Sequence, residues 1–422
     1  MTIFSTLSSF FRRNRKKVII SSSIIAIIYF GIGFLKQKFI DYQLKLAEER
    51  FSREQIRRRF EQTQKDSLYT IYALVPVLAS PIFDSLPVEE ITKALQARRL
   101  DKKGLGGSGI GASTIGDDNS STTTEQQQHQ VVDGETSEKK TKNELWSDLK
   151  SQSLTRFLTL LYSNALLILF TRLQLNILAR REYLEDALKV AATKHGFNER
   201  IDLVDNTNNE SLFYVNEQAY LSFSWWLLNR GWIQIRERVK SAVDEVFEEI
   251  NPRAELSLDD FAILLSKTQQ IIESPNTNNS NNELDFISSV LLPPENLETF
   301  VVQQTLDEEN IETLSKDNTI LRTLIDETKN YVQSSSSLIV LSSLINVGIT
   351  TLLNNIALTL SSRDPSQESP NEIKVKLAIL LANITKASND FKNGTRSDYI
   401  NNMDKVTELD ELSASVYSNF EI

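Results

Sequence analysis

Apolar residues in this chain recur mainly three or four positions apart, the spacing of one helix face, and no stretch sustains the alternation of a half-buried strand. One segment is apolar in a different way. Residues 18–35, VIISSSIIAIIYFGIGFL, form an uncharged run between the basic cluster RRNRKK at 12–17 and Lys36. At 1.5 Å per residue this run just crosses a hydrocarbon core of ~30 Å if Phe39 and Ile40 extend it. A helix can return the hydroxyls of Ser21, Ser22 and Ser23 to its own carbonyls. The run exceeds the ~7–15 residues of a signal-peptide core, and charged sequence rather than a small-x-small cleavage site follows it. We therefore expect an uncleaved N-terminal transmembrane helix from Val18 to Leu35, behind a short basic segment at 1–17. Five basic residues precede the run, and Lys36, Lys38, Lys45, Arg50, Arg53 and Arg57 to Arg59 follow it, so charge leaves the orientation open.

Beyond the anchor, the pattern predicts a helical domain over residues 36–422. A long helix at 37–74 carries Phe39, Tyr42, Leu46, Phe60, Leu68 and Ile71 among many charges, and Pro76, Pro81 and Pro87 are expected to break it. Val88, Ile91 and Leu95 then mark a short amphipathic helix ending near Arg99. Residues 101–140 are rich in Gly, Ser, Thr and Gln and cannot bury enough apolar area to offset ordering, which predicts a disordered insertion.

Thr141 and Glu144 have capping-box spacing and open the longest helical pattern, through Leu145, Trp146, Leu149, Phe157, Leu161 and Leu175 towards Leu188. A turn is expected at 206–209, followed by helix over 213–250 carrying Trp225, Trp226 and Trp232. Ser257 to Asp260 starts another helix, which ends before Ser274 and Pro275, and 276–282 reads as a polar loop. Further helices follow Pro293 and Pro294, with amphipathic segments near 373–386 and 404–420. There is no repeat of 20–50 residues. The predicted fold is an all-α, elongated helical bundle.

Two more uncharged runs lie inside this domain. Residues 157–171 are short for a membrane span. Residues 334–362 carry Asn346, Asn354, Asn355, Gly348 and many hydroxyls, while Leu338, Leu341, Ile345, Leu352 and Ile356 share one face. Helices buried in the bundle account for both runs better than extra crossings.

Composition narrows the function. A 40% hydrophobic share is enough for a sizeable core, and 13 Gly and 9 Pro in 422 residues suit long helices joined by loops. A net charge of −10 argues against a general nucleic-acid binder, although the first 60 or so residues are basic. The absence of cysteine excludes disulfides, thiol nucleophiles, iron–sulfur centres and Cys-based zinc sites, and it fits a cytosolic domain. Sequons at Asn209 and Asn383 arise easily in so Asn- and Ser-rich a chain and do not place the domain in a lumen.

Nothing in the sequence singles out a catalytic, metal or cofactor site. The glycines at 104–111 fall in the insertion, and no phosphate-cradling loop sits between a strand and a helix. His129 shares that insertion, and His195 has no partner implied by spacing. Asp259–Asp260 and Glu248–Glu249 read as helix-start and solvated-face pairs rather than acid/base dyads.

Two stretches resemble a known family. The segment RRRFEQTQKDSLYTIYALVPVL at 57–78 and the segment LWSDLKSQSLTRFLTLLYSNALLILFTRLQLNILARREYL at 145–184 are similar to the fungal peroxin-3 proteins. In the second, Ser153 to Arg156 and Arg172 to Ile177 carry the likeness, and the basic cluster before an anchor agrees with it. The resemblance implies a single-pass peroxisomal membrane protein held by Val18–Leu35, with its N-terminus in the matrix and a cytosolic helical domain, and it leaves transit through the endoplasmic reticulum open. It also implies docking of peroxin-19, a soluble carrier of newly made peroxisomal membrane proteins, through an amphipathic helix laid in an apolar groove. The family's groove positions fall here on Leu95, Lys142, Trp146 and Leu149, with Lys142 placed across the long insertion. Trp146 and Leu149 share a helix face, which suits helix-in-groove binding, although a helical tryptophan is also a common core residue. Whether family roles with inheritance and selective-autophagy factors apply stays open.

Two other readings compete with this one. The first is an N-anchored tether on the mitochondrial outer membrane or the endoplasmic reticulum. The second is a membrane-bound enzyme of unfamiliar type, which would need a pocket with convergent polar groups.

Overall fold

The computed structural model describes residues 38, 50, 53–104, 140–194, 203–251, 253–273, 283–362 and 374–420. The expected anchor at 18–35, most of the expected insertion, the expected loop at 276–282, His129 and His195 lie outside the described residues. The chain divides into two units, Met1–Gln62 and Thr63–Ile422. Within the first, exposed i,i+4 ion pairs join Arg57 to Glu61 and Arg58 to Glu54, at 2.9 and 3.2 Å.

The fold is all-α, as the periodicity predicts. Its first helices are α1 (Arg53–Ser85), α2 (Val88–Gly104), α3 (Lys142–Lys194), α4 (Leu203–Ser222) and α5 (Trp232–Phe247). Then come α6 (Leu258–Glu273), α7 (Glu283–Leu291), α8 (Glu295–Gln303), α9 (Glu308–Lys316), α10 (Thr319–Val332) and α11 (Ser335–Ser361). The series ends with α12 (Leu377–Asp390), α13 (Asp398–Met403) and α14 (Thr407–Ser418). Among the described residues the strands are two-residue segments, β1 (Glu255–Leu256) and β2 (Val375–Lys376), paired antiparallel with Glu255 opposite Lys376. They are too short to show any alternation.

Helix α3 is the axis of the larger unit. Every residue from Ser153 to Gln174 is buried, with α2, α5, α11, α12 and α14 packed around it. A helix that is apolar all round is stable only when covered on all sides. The uncharged run at 157–171 therefore sits inside the protein, as expected. Helix α11, which holds the other run, is buried along Leu341, Leu344, Ile345, Leu352 and Ile356. At Gly348 it comes so close to α3 that an added Cβ would lie 2.2 Å from Leu161 Cδ1.

Polar groups at the ends and sides of α3 fix its neighbours. The Lys150 ammonium donates to the carbonyls of Phe247, Glu248 and Ile250 at 2.5, 3.2 and 2.8 Å, so it caps the C-terminal end of α5. Arg172 bonds Gln64 and pairs with Asp404 at 2.5 Å. Arg180 pairs with Glu327 at 2.5 Å.

Several sequence expectations are corrected. Pro76 and Pro81 do not break α1, which ends at Ser85, just before Pro87. A helical proline leaves the carbonyl four residues back without its donor. For Pro76 that carbonyl is Tyr72, against which the Gly394 turn packs; a Cβ on Gly394, at φ +43°, would stand 2.8 Å from the oxygen. For Pro81 it belongs to Val77, whose side chain is exposed. The turn expected at 206–209 is helical and belongs to α4, whose later turns pack on α10, because tertiary packing outweighs the weak helix propensity of asparagine. Helix α2 runs past Arg99 to Gly104, so residues 101–104, assigned to the insertion, continue a helix.

Candidate docking site

The site begins with two local signals that the chain uses as its sequence predicts. The Thr141 amide donates to Glu144 Oε2 at 2.7 Å and the Glu144 amide donates to Thr141 Oγ1 at 3.3 Å, a closed capping box that starts α3. Exposed Lys140 adds an ion pair to Asp148 at 2.6 Å. The first turns of α3 then present Leu145 and Leu149 to α2, which answers with Val88 and Leu95. Ile91 and Trp146, both half-buried, pack against these four.

This cluster is separate from the main core. The structure brings Leu95, Trp146 and Leu149 into one cluster. Leu95 and Leu149 are only 7% and 8% exposed, so Trp146 and Ile91 supply the accessible apolar surface. Lys142 is exposed. It stands four residues before Trp146 and seven before Leu149, in line with them on one face.

A buried cation holds α2 in place. Arg156, with no side-chain exposure, donates from Nη1 to Glu89 Oε2 at 2.7 Å and to the Leu86 carbonyl at 3.4 Å, and its guanidinium lies 4.7 Å from the Phe83 ring centre. Burial pushes the Glu89 carboxyl up, but the hydrogen bond and charge of Arg156, with Lys392, outweigh burial and hold its pKa below the usual range. Breaking the pair would strand a buried guanidinium, so it fixes where α2, and hence Leu95, sits.

Sequence reasoning missed Val88, Ile91 and Leu145 as members of the cluster, although their helical spacing was the available signal. It also missed the Glu89–Arg156 pair, for which a separation of 67 residues leaves no local signal. The acidic pair Asp259–Asp260 proves to be helix-start chemistry: Asp260 accepts from the Ser257 amide at 3.2 Å, and the Asp260 amide donates to Ser257 Oγ at 3.0 Å.

A family model described as Peroxin-3 matches residues 9–419. The chain is 39% identical over 461 residues to the peroxisomal membrane protein PEX3 of Komagataella phaffii, covering 97% of this chain and 98% of that protein. It is 34% identical to the peroxisomal biogenesis factor 3 of Kluyveromyces lactis, covering 98% and 99% of the two chains. With the protein of that name from Saccharomyces cerevisiae the identity is 31%, over 98% and 96% of the two chains.

Proposed function

We propose a function that proceeds from one premise: the chain belongs to the peroxin-3 family. It is a membrane protein of peroxisome biogenesis, and its place is the peroxisomal membrane, as the names of its relatives state for them. The finer reading is that the junction of α2 and α3 docks peroxin-19 and so promotes insertion of newly made peroxisomal membrane proteins. One observation carries it. An apolar cluster apart from the main core joins Leu95, Trp146 and Leu149, with Trp146 partly exposed and Lys142 beside it on the same face. An apolar patch built this way suits the apolar face of an amphipathic helix, while Lys142 offers a charge to an acidic residue on the helix flank. Val18 to Leu35 would hold the domain on the membrane, with residues 36–422 in the cytosol.

The test is calorimetric titration of the full chain, in detergent micelles, with peroxin-19 from the same cell. Saturable binding that Trp146→Ala and Leu95→Asp both weaken at least tenfold supports the reading. Absence of binding, or binding unchanged by both variants, overturns it.

A further inference from the structure

A second feature lies on another part of the bundle. Between α3, α5, α6, α7 and α11 is a half-open cavity of 230 Å³. Its wall is apolar, including buried Leu166, Ile235, Ile287 and Leu341, and Ile339 stands at its edge, 59% exposed. Its polar side gathers Tyr162, Arg238, Glu273 and Glu283. Tyr162 lies ~24 Å along α3 from Trp146, so this cavity is no part of the docking site described above.

Size decides what fits. Pockets that enclose a whole small molecule start at ~300 Å³, and this one is smaller and open on one side. It has room for an apolar side chain or two presented from outside.

Charge decides what accompanies that side chain. Two carboxylates and one guanidinium line the cavity, and the Arg238 guanidinium lies 4.3 Å from the Phe286 ring centre. Glu273 accepts only neutral donors among the contacts seen: Gln269 Nε2 at 2.9 Å and the Tyr162 hydroxyl at 3.4 Å. Burial, and then the Glu273 charge, push the Glu283 carboxyl up, with Arg238 only partly offsetting them. The cavity edge therefore carries excess negative potential. Residues 274–282, SPNTNNSNN, link the two carboxylate-bearing helices and contain no charge and no large apolar side chain, so that connection supplies neither what the cavity would bury nor what the carboxylates would attract.

We propose that this cavity is an anchor site for an amphipathic segment of a partner protein, which inserts one apolar side chain among Leu166, Ile235, Ile287 and Leu341 and sets a lysine or arginine against Glu273 and Glu283. Such an anchor works as a small hot spot: a desolvated apolar plug beside a charge-assisted pair. The bound cation would also relieve the repulsion between the two carboxylates.

The experiment displays a library of randomised 18-residue amphipathic helices and selects against the full chain in detergent micelles. Counter-screens use Ser342→Trp, which fills the cavity mouth, and Glu283→Lys, which reverses the edge charge without touching the apolar wall. Thermal melting within a few degrees of the parent shows that each variant folds. The expected binders pair Leu, Met or Phe with Lys or Arg three or four positions away, and lose at least tenfold affinity on both variants. They keep their affinity for Trp146→Ala. Acidic binders, binders indifferent to both variants, or no variant-sensitive binder at all would overturn the proposal. Decanoate competing better than decylamine would overturn it in favour of an acyl-chain site. A concentration-dependent dimer abolished by Ser342→Trp would do so in favour of a second copy of this chain.

Discussion

Replacing Trp146 by alanine separates docking from packing. The indole is half-buried against the Val88–Leu95–Leu145–Leu149 cluster, which stands apart from the main core. A buried aromatic covers ~150–250 Å², and roughly two-thirds of that at ~25 cal/mol/Å² is about 2.5–4 kcal/mol, an upper bound that a compact unfolded chain lowers to about 2–3 kcal/mol of folding stability. A tryptophan wholly in the core would cost ~3–5 kcal/mol instead. If Trp146 anchors a partner helix, its loss should weaken binding by ~2–4 kcal/mol, which is about thirtyfold to a thousandfold in Kd. Most of that should appear as faster dissociation. The assay is calorimetric binding of peroxin-19 to the full chain, with thermal melting of the same preparation. A small loss in melting temperature with a large loss in affinity is the expected pair. A collapsed melt with normal binding by the surviving folded fraction would make Trp146 a core residue and put the docking surface elsewhere.

Other outcomes follow from the same contacts. Leu149→Ala should cost about 2–4 kcal/mol of folding stability at the α2–α3 junction, seen as faster amide exchange in α2. The Glu89 carboxyl is held below the usual range in the fold, so its contribution is complete above the unfolded carboxylate pKa of ~4.3 and is lost as pH falls through the folded value. Protection of α2 amides should therefore drop on acidification in that window, and Glu89→Gln should lower protection at neutral pH and flatten the dependence. Deleting residues 103–138 should leave melting and docking nearly unchanged, since that composition contributes little buried area; a large fall in melting temperature would show otherwise. Protease added to intact organelles should digest the domain after Leu35, and glycan on Asn209 or Asn383 would contradict a cytosolic placement.

What the sequence disclosed depended on how far apart the interacting residues lie. The helix starts at Thr141–Glu144 and Ser257–Asp260 were legible because the groups that make each one sit within one turn. The buried run on α3 was legible because an uncharged stretch too short for a membrane has to be covered by protein. Pro76 was misread because the segment packed against that turn of the helix, at Gly394, lies far away in the sequence and leaves no local signal. The asparagines at 206–209 were misread because local propensity was given more weight than packing on α10. Of the candidate site, Leu95, Trp146 and Leu149 came from family resemblance and helical spacing together. Neither could reveal the Arg156–Glu89 pair that orients α2, nor the carboxylates that Glu273 and Glu283 bring to one cavity from two helices.

The central claim is that peroxin-19 lies across the start of α3. A photo-reactive amino acid placed at Lys142 in the full chain, in peroxisomal membranes, tests it most directly, with the same group at exposed Ile263 on α6 as the comparison. The account predicts that illumination links peroxin-19 to position 142 through its amphipathic helix and leaves position 263 unlinked. Crosslinks at 263 with none at 142 would contradict it.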